Sequence, residues 1–177
     1  MARMVRVLAV VLVAVIAGAA LALTYARLTG LSARASPGGL ETAVARAVRG
    51  WAVPADVRQR ANPVARTEEN VLKGRDHYAR YCVSCHANDG SGERTIGMNL
   101  FPPVPDMRLP ATQDLTDGEL FHIIEEGVRF TGMPAWGDGS PQGEELAWQL
   151  VHFIRRLPQL TTDEITQMEA MNPRPPG

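Results

Sequence analysis

YCVSCHANDG, residues Tyr81 to Gly90, holds both cysteines of the 177-residue chain and one of its four histidines. Two thiols three positions apart, followed at once by His86, suit three chemistries: a redox dithiol, part of a zinc site, or covalent attachment of haem. A zinc site needs further ligands at matching spacing. No third cysteine exists, and the nearest histidines, His77 and His122, form no partner motif. A thioredoxin-like dithiol belongs in a βαβ context; the sequence offers none, and His86 would have no role.

Cys-x-x-Cys-His is the attachment signature of c-type haem, and that chemistry uses all three residues. Each thiol adds across one vinyl group, so two thioethers fix the ring, and the next residue must put imidazole on the iron at once. The reading is one covalently held haem c, with Cys82 and Cys85 as tethers and His86 as proximal ligand.

The sixth ligand is expected from RFTGMPAWG (129–137). Met133 stands 47 residues after His86, on a loop whose backbone Pro134 constrains, and a thioether there can face the iron opposite His86. Met98 and Met107 are rivals. Both lie within 21 residues of His86, in the loop expected to line its own side of the ring, so Met133 is preferred.

Around these motifs the pattern is helical. Thr67 is an N-cap followed by Glu68 and Glu69, and Val71, Gly74, Tyr78 and Tyr81 recur at spacings of three and four. That helix delivers Cys82 at its end. Glycines and prolines from Ala87 to Asp114 read as loop. Thr116 and Glu119 form a capping box for a helix with Leu120, Phe121, Ile123 and Ile124, which Gly127 can end. A second loop, FTGMPAWGDGSP, leads to a helix from Pro141 to Leu157 striped by Leu146, Leu150, Phe153 and Leu157. A last helix is expected over Thr162–Met171. No strand run is convincing, so the expected fold is all-α. The 92 residues from Thr67 to Pro158 bury little by themselves, and a covalent porphyrin would supply the missing apolar core.

Val7 to Ala26 is a run of 20 uncharged residues, long enough as a helix to span about 30 Å of hydrocarbon. Arg3 and Arg6 precede it, as in an export signal. It reads as a retained anchor in preference to a cleaved signal peptide, because it exceeds the usual signal core of about 7–15 residues. The domains expected are 1–28, anchor or signal peptide; 29–66, linker with a short amphipathic helix; 67–158, the haem domain; and 159–177, a helical extension. The amphipathic helix runs from Leu40 to Trp51, and the sequence leaves open whether it meets the membrane surface, the haem domain or a partner.

Residues 1–35 carry four arginines and no acid, so the remaining 142 residues hold 14 basic and 19 acidic side chains. That balance, with no basic run among aromatics, excludes a nucleic-acid binder. No carboxylate pair or nucleophile–base arrangement suggests hydrolysis.

At Gly74, Tyr78, CVSCH, the GMP loop and LAWQLVHFIRRL (146–157), the chain resembles a class I cytochrome c over roughly Thr67 to Leu157. DGELFHIIEEGVRFTGMPAWG and FIRRLPQLT are similar to a bacterial membrane-anchored monohaem subgroup. The resemblance implies a class I cytochrome c fold whose first and last helices cross, with Gly74 and Tyr78 meeting Phe153. It also implies a proline carbonyl, taken as Pro103 from LFPPVP, accepting a hydrogen bond from the second imidazole nitrogen of His86. Trp136 and Arg108 are candidate neighbours of the propionates.

The expected function is one-electron transfer, not catalysis, in a membrane-bound respiratory or photosynthetic chain, as a carrier or as a cytochrome subunit of a larger complex. The haem domain would lie on the periplasmic side of the cytoplasmic membrane. A quinol-oxidising complex would be donor, and a terminal oxidase, reductase or photosynthetic reaction centre acceptor. The alternative is a haem-based gas sensor or enzyme subunit whose methionine is displaced.

Overall fold

The capped, periodic segments fold where their patterns place them. Thr67 accepts a hydrogen bond from Asn70 N–H and opens a helix over Glu68–Tyr81. Thr116 and Glu119 close the expected capping box on Asp117–Glu126. Ser140 caps Pro141–Arg156, accepting from Gly143 N–H. The last helix is Thr162–Glu169, capped one residue earlier by Thr161 with Glu164 as the reciprocal partner.

In the computed structural model residues 1–30 and 32–173 are described. Leu31 of the expected linker and residues 174–177 of the expected extension lie outside them. In chain order the helices are α1 (Ala2–Thr29), α2 (Gly39–Ala52), α3 (Ala55–Arg58), α4 (Glu68–Tyr81), α5 (Val83–His86), α6 (Thr95–Met98), α7 (Pro110–Gln113), α8 (Asp117–Glu126), α9 (Pro141–Arg156) and α10 (Thr162–Glu169). The fold is all-α, with no strand among the described residues.

Two compact units divide the chain, Met1–Ser32 and Ala33–Gly177. The first is α1 alone, long and apolar enough to cross a membrane. The second is built on the crossing of α4 with α9. Gly74 lets the two backbones meet, since a Cβ there would overlap the Gln149 carbonyl. One turn on, the Tyr78 and Phe153 rings pack at 5.0 Å between centroids. α8 adds Leu120, Phe121 and Ile124 to this core, and Phe121 stacks on Trp148 at 4.1 Å. α10 closes it with a fully buried Met168.

The stretch expected as a linker is not uniform. Residues 53–66 are strapped onto α8 and α9. Asn62 Nδ2 donates to the Trp148 carbonyl at 3.0 Å, His152 Nε2 pairs with the Val64 carbonyl at 2.8 Å, and Thr116 Oγ1 donates to the Arg58 carbonyl at 2.8 Å. Gly118 is needed under this arm, because a Cβ there would overlap the Val57 carbonyl. The Arg60 guanidinium lies 4.8 Å from the Phe121 ring centroid and pairs with Glu144 at 2.6 Å. These bonds satisfy backbone groups that an irregular segment would otherwise leave to water, so residues 53–66 form an ordered arm.

Candidate haem site

α4 ends at Tyr81, and the chain turns at once into α5, the single turn that carries Cys85 and His86. Three features hold that turn. The Tyr78 hydroxyl, buried in the core, donates to the Ala87 carbonyl at 2.9 Å. Gly92 N–H donates to the His86 carbonyl at 3.0 Å. Gly97 of α6 sits against the Cys85 carbonyl with no room for a Cβ. The motif is therefore clamped from the α4 side by a tyrosine and from the loop side by two glycines.

Both thiols are free and half-buried. Burial, with the neighbouring Cys85 adding to it, pushes the Cys82 thiol up to about 12. Burial also raises the Cys85 thiol. These are protonated thiols, the opposite of the low-pKa thiolate that a redox dithiol needs for attack. Among the described residues no group of three or more His, Cys, Asp or Glu side chains is arranged to hold a metal ion.

Burial drives the His86 imidazole down to about 4, so the ring is neutral near pH 7, the form that ligates metals. Its Nδ1 is buried and has no hydrogen-bond partner. A buried, unpartnered ring nitrogen is costly until an acceptor reaches it. The Pro103 carbonyl, expected to accept from Nδ1, does not do so here. The N–H of the same peptide, that of Val104, donates to the Gly97 carbonyl at 3.1 Å.

The first loop also contains order that the glycines and prolines hid. Arg108 donates to Asp106 and Asp89, each at 2.7 Å. The guanidinium offered as a propionate neighbour thus already ties the loop to the residue after Asn88. Gln113 Nε2 bridges the Met107 and Ile154 carbonyls at 2.7 and 3.0 Å, fixing the loop to α9. Met107 is buried in the core and is not free to turn toward a ligand site. Met98 lies exposed on α6.

Met133 sits in a tight reversal. Val128 N–H donates to the Met133 carbonyl at 3.1 Å, and Met133 N–H donates to Thr131 Oγ1 at 3.1 Å. The strand of loop beyond it returns along α8, where Trp136 N–H donates to the Ile124 carbonyl and Gly137 N–H to that of Glu125, both at 3.0 Å. This loop reaches the first one at Gly132, where an added Cβ would lie 2.6 Å from the Leu100 side chain. It reaches the end of α4 at Trp136, whose ring centroid is 6.1 Å from that of Tyr81. The loops carrying Met133 and following His86 therefore meet.

Around them Tyr81, Ile96, Met98, Phe101, Leu109, Phe130 and Trp136 are exposed. So much apolar surface on two adjoining loops suits a flat hydrophobic group, which would cover part of it. Neutral imidazole, an unpartnered Nδ1, two protonated thiols and apolar loops together fit a covalently tethered haem.

Residues 69–154, from the first turn of α4 to the last turn of α9, match the family described as cytochrome c oxidase, cbb3-type, subunit III. The chain is also similar to a thiosulfate dehydrogenase of Stutzerimonas stutzeri (strain A1501), at 29% identity over 87 residues. That stretch is 48% of this chain and 26% of the relative, so the chain spans about a quarter of the relative's length.

Proposed function

We propose, from the premise that residues 69–154 are a class I c-type cytochrome domain, that this protein is a one-electron carrier or electron-transfer subunit built on a single haem. Cys82 and Cys85 would hold the ring as thioethers, and His86 and Met133 would ligate its iron. When bound, haem c would supply a reversible ferric/ferrous couple, and Met/His ligation would raise its potential.

The chain's own part is to keep that couple in place. The observation that carries the reading is His86, neutral and half-buried, its buried Nδ1 unpartnered, on a turn that also presents both thiols. With the ring seated, the Pro103 carbonyl would accept from Nδ1, holding the imidazole plane and raising its basicity as a ligand. Tyr78 fixes the backbone on which His86 sits. The Thr131 hydroxyl holds the reversal that presents Met133. With the ring seated, both loops would line it and limit the access of water.

Arg3 and Arg6 in the first turns of α1, ahead of its apolar run, support a single-pass anchor with the cytochrome unit on the periplasmic side. A quinol-oxidising complex would then be the donor, and a terminal oxidase, reductase or photosynthetic centre the acceptor. The matched descriptions, an oxidase subunit and a dehydrogenase, favour attachment to a larger oxidoreductase. The ordered arm over residues 53–66 supports the same side of that choice, since it removes part of the tether a free shuttle would use.

The test is optical. Purified protein should retain its haem after denaturation and organic extraction, and its reduced spectrum should not change on adding carbon monoxide. Ready carbon monoxide binding would mean that Met133 is absent from the iron or easily displaced, and the sensor or enzyme reading would replace this one.

A further inference from the structure

Helix α2 wears its apolar residues outward. At 100° per residue, Leu40, Val44, Val48 and Trp51 fall on one stripe. None of the helix's residues is buried, and Leu40 and Trp51 are 81% and 85% exposed. The contacts α2 does make come from its other side and its end. Thr42, Arg49 and Gly50 are half-buried, and the Arg58 guanidinium donates to the Gly50 carbonyl and, at 3.3 Å, to that of Val53. A helix folded only for the soluble unit would turn this stripe inward. Here the polar side faces the arm and the apolar side faces away, so something outside the unit covers it.

Three observations point to lipid. Only residues 30–38 separate α1 from α2, and nine residues reach at most about 30 Å. Residues 33–52 carry three arginines, Arg34, Arg46 and Arg49, against the single acid Glu41. Such a local excess is drawn to an anionic headgroup layer, whereas the rest of the unit is acidic and is not. Trp51 ends the stripe, and tryptophan favours the membrane–water boundary.

We propose that α2 lies in the plane of the bilayer surface, with Leu40, Val44, Val48 and Trp51 in the acyl boundary and its polar side toward the cytochrome unit. This rests on the reading of α1 as a retained anchor. With α2 seated, the cytochrome unit has two membrane contacts rather than one, and the free tether shortens to the residues between α1 and α2.

The full chain is reconstituted in vesicles of phosphatidylethanolamine and phosphatidylglycerol, with photoreactive benzoylphenylalanine placed singly at Val11, Thr42, Val44 or Val48. Adducts are identified by mass spectrometry after illumination. The expected result is phospholipid adducts at residues 11, 44 and 48, with yields at 44 and 48 several-fold above that at 42. Lipid at 11 but protein adducts or none at 44 and 48 would overturn the surface helix and leave the anchor standing. Lipid at 44 and 48 without lipid at 11 would remove the anchor and keep the surface contact. Equal lipid yields at 42 and 44 would overturn the assigned orientation, and no lipid at any position would remove both readings.

Discussion

The backbone of Gly74 lies flush against the Gln149 carbonyl: a Cβ added at residue 74 would overlap the oxygen and sit 2.6 Å from its carbon. Both neighbours are helix backbone, which cannot rotate aside as a side chain can. Gly74→Ala must therefore push α4 and α9 apart and unseat the Tyr78–Phe153 contact. The expected cost is about 3 kcal/mol of stability, read by denaturant unfolding. Gly50→Ala, where an added Cβ meets nothing within 4 Å, should leave the unfolding of the unit over residues 33–177 unchanged. Equal effects at the two sites would refute the tight crossing.

Met133 and Met107 make a second contrast. Met133 sits on the reversal that meets the first loop, whereas Met107 is packed in the core. Met133→Leu should lower the reduction potential by on the order of a few tenths of a volt, within the ~0.8 V that axial ligands command, and open the reduced protein to carbon monoxide. Met107→Leu conserves volume and should cost less than about 1.5 kcal/mol without moving the potential. Redox titration of both variants decides; a potential that follows residue 107 would reverse the assignment.

The sequence made visible what is local. Thr67, Thr116 with Glu119, and Ser140 announce helix starts because their partners lie within three residues. CVSCH is readable because its chemistry needs five consecutive positions. The arm over residues 53–66 was hidden because its bonds run from Asn62 to Trp148 and from Val64 to His152, and it has no period of its own. Short helices α6 and α7 hid in a glycine- and proline-rich stretch, α6 set by Gly97 against the Cys85 carbonyl and α7 by Gln113 reaching the Ile154 carbonyl. The clamp that Tyr78 places on Ala87 combines both kinds. Its spacing marked Tyr78 as a packed face, but only the fold shows where the hydroxyl goes.

Arg155 joins the end of α9 to the start of α8. Its Nε and Nη2 donate to Asp117 Oδ1 at 3.0 and 2.8 Å, Nη1 donates to the Gln113 carbonyl at 2.6 Å, and Nη2 also reaches the Leu115 carbonyl. Removing one side chain leaves two carbonyls and a carboxylate without it. Arg155→Ala should cost about 2–3 kcal/mol. Arg155→Lys should recover only a minor part, because an ammonium cannot reproduce the planar fork. Thermal denaturation of the two variants checks this, and full recovery by lysine would mean that charge alone matters.

Phe130 is 92% exposed yet held at φ 63°, a left-handed conformation that strains a bulky residue. Asparagine visits that region readily. Phe130→Asn should therefore raise stability by up to about 1 kcal/mol, since no apolar burial is lost. A drop in stability would mean that Phe130 packs against the seated haem, and a haem-free comparison of the same pair would separate the two effects.

Glu164 couples the stability of α10 to pH. The Thr161 N–H bond, then the Thr161 hydroxyl and the Arg156 guanidinium, hold its carboxyl below the ordinary 4.5, with partial burial opposing them. The folded value is the lower one, so the charged form stabilises the fold. That contribution is complete above 4.5 and is lost as pH falls through the folded value. Glu164→Gln keeps an acceptor for the cap but removes the charge. The gap in melting temperature between wild type and variant should be widest near neutrality and close as the pH falls from 4.5 through the lower folded value. A gap that stays constant as the pH falls well below 4.5 would show that the glutamine disrupts the cap itself, and that the charge contributes nothing to holding α10 on the core.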